Sequence, residues 1–92
     1  MAESVMLERA KDFAVEIVDL CKIIKNEKRE SVLTNQLLRS ATSIGANIHE
    51  SKYAQSPPDF VSKMQIALKE CYESDYWLEL LCRTKYIEEK SA

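Results

Sequence analysis

The sequence predicts an all-α domain, and three observations carry that prediction. Hydrophobic residues fill 46% of the 92 positions, too much apolar content for a disordered chain. One glycine and two prolines are too few turn formers for a β-sandwich. Apolar residues recur every three or four positions along three segments separated by charged or proline-bearing links. A chain this short forms one domain, expected over residues 1–92, with a small core.

The first helix is predicted over about residues 4–26. Met6, Ala10, Phe13, Ile17, Leu20 and Ile24 keep the spacing of an amphipathic face, and Ser4 stands as N-cap. Ala14, Val18 and Cys21 widen that face, while Glu8, Asp12, Glu16 and Asp19 form a solvated edge. So broad an arc points either to a second contact surface or to a small bundle that buries a wide face.

After the charged link from Asn26 to Glu30, a second helix is predicted over about residues 31–54, with Leu33, Leu37, Ala41, Ile44 and Ile48 inward. Gly45 inside a helix costs about 1 kcal/mol against alanine. Close approach of another backbone, aided by Ser40, Ala41, Ser43, Ala46 and Asn47, is one motive; tolerance is the other. The segment Gln55 to Asp59 is a boundary: Ser56 caps, Pro57 fits the first helical position, and Asp59 complements the helix dipole. A third helix follows over about residues 57–84, with Phe60, Met64, Ala67, Cys71, Leu78 and Leu81 on its inner line. Its length of roughly 28 residues, about 42 Å, makes the second and third helices a long antiparallel hairpin.

Folding that hairpin about Ser56-Pro57 sets residues whose numbers sum to about 113 side by side. A polar seam results. Arg39, Ser43, Asn47 and Glu50 share a face of the second helix, and Lys63, Glu70, Glu73 and Trp77 share one of the third. Arg39 is expected to reach Glu73 or Glu70. Charges between packed helices are costly to desolvate unless paired, so such a seam serves register, assembly or a ligand, or else it is a set of part-exposed ion pairs of little weight.

A net charge of −2 argues against coating nucleic acid by bulk electrostatics. Lys22, Lys25, Lys28 and Arg29 still converge on one pole, either as a nucleic-acid contact that assembly would multiply or as cations complementing a helix end. Tyr72 and Tyr76, one turn apart, suit base stacking or an interface beside Trp77. Cys21, Cys71 and Cys82 lack any close pair and read as reduced core thiols of a cytoplasmic protein. No apolar run approaches the roughly 20 residues of a membrane span, and no leader pattern opens the chain.

The run Leu37-Leu-Arg-Ser-Ala-Thr-Ser-Ile-Gly-Ala-Asn-Ile-His-Glu50, then Phe60, then Ile66-Ala-Leu-Lys-Glu-Cys-Tyr-Glu73 and Tyr76-Trp-Leu78, resembles the family of four-helix-bundle proteins encoded in intervening sequences of 23S ribosomal RNA genes. The similarity extends over about residues 5–88. It implies an antiparallel up-and-down bundle of the four-helix type, assembled as a ring-like homopentamer. Related accessory proteins of diversity-generating retroelements share this architecture and bind nucleic acid through a basic surface. By position Arg39, Asn47, Glu50 and Glu73 match recurring polar positions of the family, as packing or assembly residues. Family members continue into a further helix near where this chain stops, so the fourth helix is expected to be missing: either truncation leaves an apolar groove for a partner or symmetry mate, or three helices pack by themselves.

Catalytic chemistry finds little purchase. His49 has no second histidine to complete a metal set, one glycine cannot build a phosphate loop, and no Glu-x-x-His pair is present. Glu70 and Glu73 are conceivable as an acid–base pair but more often such acids pair with a nearby cation such as Arg39. The chain is therefore expected to be a non-enzymatic, homo-oligomeric interaction module without cofactor, metal, membrane or small-molecule substrate. It binds RNA or a nucleoprotein through the basic pole, or it is a protein-binding scaffold with no nucleic-acid role.

Overall fold

The computed structural model describes residues 2–88. Among them it holds three helices and no strand: α1 (Ala2–Lys28), α2 (Val32–Ser51) and α3 (Pro57–Arg83). The body measures 44 × 20 × 18 Å, a rod one helix length long. The fold is all-α, an antiparallel bundle with room for one more helix.

The two ends of α2 are closed in different ways. Its N-cap Ser31 makes no side-chain cap bond. Glu30 does that work instead, since its carboxylate accepts from the backbone N–H groups of Leu33 at 2.7 Å and Thr34 at 3.0 Å. Desolvation would raise the Glu30 pKa, but these donors outweigh it and hold the carboxyl below its usual 4.5. At the other end the helix stops at Ser51, short of the expected residue 54, because Tyr53 and Ala54 bond back to Glu50 and Ser51 as single turns. The start of α3 matches its sequence signature: Ser56 Oγ accepts from Asp59 N–H, Asp59 accepts in turn from Gln55 N–H, and Pro57 stands first in the helix.

The core lies along α2, which packs on both neighbours, while α1 and α3 barely meet. One cluster gathers Ile17, Cys21, Ile24, Leu37, Ala41 and Leu81, and the other Leu7, Ala10, Ile44, Ile48 and Ala67. The buried line of α1 thus runs one side of the expected one: Leu7 and Cys21 are inside, and Met6 is 40% exposed. On α3 the buried set is Ala67, Glu70, Ser74 and Leu81, whereas Cys71 is exposed. Cys71 therefore corrects the expectation of three core thiols; Cys21 is buried, and Cys82 lies between. The broad arc of α1 now has its reason. One flank meets α2, and the other, Met6 with Phe13, lines a cleft that separates α1 from α3.

Gly45 comes close to α1. A methyl group placed on it would lie 3.4 Å from the Cβ of Ala10, an ordinary contact that leaves space for it. The glycine permits the approach without being required by it.

Candidate functional site: a polar seam, an apolar cleft and a basic pole

The seam forms where α2 and α3 run antiparallel. The bond from Ser74 Oγ to Ser40 Oγ, 2.9 Å and fully buried, and the ion pair of Lys63 with Glu50, also 2.9 Å, fix the register at sums of 114 and 113. Arg39 bonds to Glu73 and stands 3.7 Å from Glu70, so one guanidinium serves both carboxylates. Trp77 donates its indole N–H to Glu73 at 3.4 Å and packs its ring on the core. Ser43 donates to the Arg39 carbonyl, and Asn47 donates to the Ser43 carbonyl, so both side chains fold back on α2. Glu50 lifts the pKa of Lys63, first by hydrogen bonding and then by its charge.

Glu70 departs from this satisfied pattern. Its side chain is only 10% exposed, and Oε1 has no hydrogen-bond partner among the described residues. A buried carboxylate with one idle oxygen costs stability, so the cation beside its other oxygen is what keeps it tolerable. Among the described residues the carboxylates of Glu70 and Glu73 are held by Arg39. That arrangement suits packing better than proton transfer.

The opposite side carries a cleft of about 430 Å³ between α1 and α3, floored by Ile44 and Ile48 of α2. Met6, Phe13 and Leu78 line it, with Arg9 and Asp75 on its lips. Cys71 opens into it, and the surrounding apolar walls push its thiol pKa up by desolvation.

The third feature is the pole where α1 and α3 both end, since each runs antiparallel to α2. Lys22, Lys28 and Arg29 are exposed there, and Lys25 bonds to Asn35 Oδ1. The sequence reading missed two further cations, Arg83 and Lys85, because only the shared direction of α1 and α3 brings them to this end. Arg83 pairs with Glu79 at 2.9 Å. Arg29 and Lys85, each just past a helix, take φ of 59° and 71°, the left-handed conformation that glycine adopts more cheaply. The acids Glu27, Glu30, Glu79 and Glu88 share the pole, leaving a modest positive surplus.

Elsewhere the described residues hold no cluster of three or more metal-ligating side chains, and no helix is long and apolar enough to cross a membrane. His49 is exposed and meets Tyr53 edge to face at 5.7 Å. Tyr72 and Tyr76 are exposed, and Tyr76 packs edge to face on Trp77 at 5.0 Å.

Fold and surface together define a small helical-bundle protein with a polar seam, an apolar cleft and a basic pole. The chain belongs to the family described as 23S rRNA-intervening sequence protein, whose profile matches residues 2–92. It is also similar to a solved structure, that of a protein with unknown function from the S23 ribosomal protein family of Bacteroides thetaiotaomicron. The two share 52% identity with a TM-score of 0.96, over 99% of this chain and 81% of that one. A comparison with curated proteins finds no match. Neither description is that of an enzyme.

Proposed function

We propose that this protein is a non-enzymatic, homo-oligomeric interaction module of the cytoplasm that presents its basic pole to RNA or a nucleoprotein. One observation carries the reading: two helices end at the same pole, and each is closed by a cation, Arg29 or Lys85, in a conformation that favours glycine. Placing a charge where glycine is cheaper points to use of that charge, beyond the complement it makes to the helix dipole. Lys22 and Lys28 extend the patch, and none of these four cations forms an ion pair among the described residues. Assembly that gathers the poles on one face concentrates their positive field locally, although each chain carries a net charge of −2. Unpaired thiols fit a reducing compartment. The names of the family and of the solved relative, both tied to ribosomal RNA or the ribosome, agree with an RNA partner.

Retention of single-stranded RNA at low salt, measured across a salt series, tests the reading. The variant Lys28→Glu with Arg29→Glu and Lys85→Glu is expected to abolish retention and leave the helical spectrum unchanged. Each lost phosphate contact flattens the log–log salt slope by about 0.7. Equal retention by the variant, or none by the parent protein, refutes it.

The scaffold reading has its own support in the open α1/α3 cleft, an apolar surface of the kind that marks an interaction site.

A further inference from the structure

We infer that the Asn35 side chain, held by Lys25, is a base-reading site within the basic pole, and that it takes the acceptor edge of an unpaired guanine. The inference rests on the RNA reading above and names what that pole selects. Lys25 sits in the middle of the patch: Lys22 and Lys28 stand one turn either side of it on α1, and Arg29 follows the helix. Those three cations are exposed and form no ion pair among the described residues. Lys25 is placed differently, because its ammonium crosses to α2 and donates to Oδ1 of Asn35, an exposed side chain in the first turn of that helix.

An ammonium can only donate, so this contact also fixes the amide. Oδ1 is turned to Lys25, and the two N–H bonds of Nδ2 meet no acceptor among the described residues. An asparagine with both ends of its amide free pairs with adenine, which offers a donor at N6 beside an acceptor at N7. Asn35 has its acceptor occupied and cannot make that pair. Guanine presents two neighbouring acceptors, O6 and N7, and these match the amide N–H bonds of Asn35 and the remaining N–H bonds of Lys25. Sequence-specific contacts to RNA go to unpaired bases, whose edges are open and whose faces need a seat. Val32, 74% exposed and one turn before Asn35 on the same side of α2, offers that seat. The carboxylate of Glu30, just ahead of α2, is turned onto the N–H groups of Leu33 and Thr34 and leaves the Asn35 amide to the ligand. Lys28 and Arg29 then serve the phosphates on either side of the base.

Short oligouridylates carrying one central guanine, adenine or cytosine are the probes, titrated against the full chain at low salt. The guanine probe should bind about tenfold more tightly than the adenine probe. Asn35→Ala should remove that preference while the slope of affinity against salt stays the same, since a base contact releases no counterion. Lys25→Met frees Oδ1 and should turn the preference toward adenine. Lys28→Glu, by contrast, should weaken binding of all three probes alike. The Lys25–Asn35 contact lies at the surface, so these variants keep the helical spectrum of the parent. Equal binding of the three probes by the parent protein, a preference for adenine or cytosine, or an Asn35→Ala protein that still prefers guanine each overturns this inference and leaves the RNA reading standing. Binding of none of the probes overturns both.

Discussion

Replacing Arg39 with methionine removes the guanidinium between Glu70 and Glu73 while keeping most of the apolar stem that packs on the seam. At 3.7 Å and an effective dielectric of ~20, the attraction between Arg39 and Glu70 is about 4.5 kcal/mol before desolvation is counted. The Arg39 side chain is 51% exposed and Glu70 only 10%, so solvent screens one end of the pair and hardly the other. The expected loss lies between that of a surface pair and that of a broken buried one, at about 2 kcal/mol. Urea unfolding followed by far-UV circular dichroism measures it as a shift of midpoint at constant slope. Adding Glu70→Gln removes the stranded buried charge and should recover about half of the loss. A loss under ~0.5 kcal/mol for Arg39→Met, or no recovery in the double variant, would refute the view that this cation sustains a buried carboxylate.

Gly45→Ala is expected to stabilise the protein by about 0.5–1 kcal/mol, since the added methyl finds an ordinary 3.4 Å contact with Ala10 and the helix gains propensity; a lower melting temperature would show that the two helices need a bare backbone there. Glu30→Ala should cost about 1 kcal/mol at neutral pH by uncapping α2. The folded Glu30 carboxyl titrates below its unfolded value near 4.5, so its contribution is present above that pH and fades as pH falls through the lower folded value. A penalty equally large in strong acid would contradict the cap. Charge reversal at the basic pole, described above, tests the RNA reading.

Periodicity carried much of the architecture. The Ser56-Pro57-Asp59 boundary was legible because its cap, proline and acid act within four residues of each other. The α2/α3 seam was legible for a related reason: a tight turn fixes antiparallel register by counting, so Arg39 falls opposite Ser74, within reach of Glu73, and Glu50 falls opposite Lys63. Glu30 as cap was harder to see, because Ser31 is the better local candidate and only the turn geometry hands the role to its neighbour.

By itself the sequence determined three amphipathic helices, their joints and the pairing of α2 with α3, all of which follow from spacing within about thirty residues. The tertiary structure decided which flank of each broad stripe is buried. A helix with more than one apolar flank has no intrinsic preference among neighbours, so Leu7 rather than Met6, and Ser74 rather than Cys71, went inside only once α2 lay between α1 and α3. That same choice opened the cleft and brought Arg83 and Lys85 beside Lys22, Lys28 and Arg29, because contacts between segments nearly sixty residues apart are set by packing and not by local pattern.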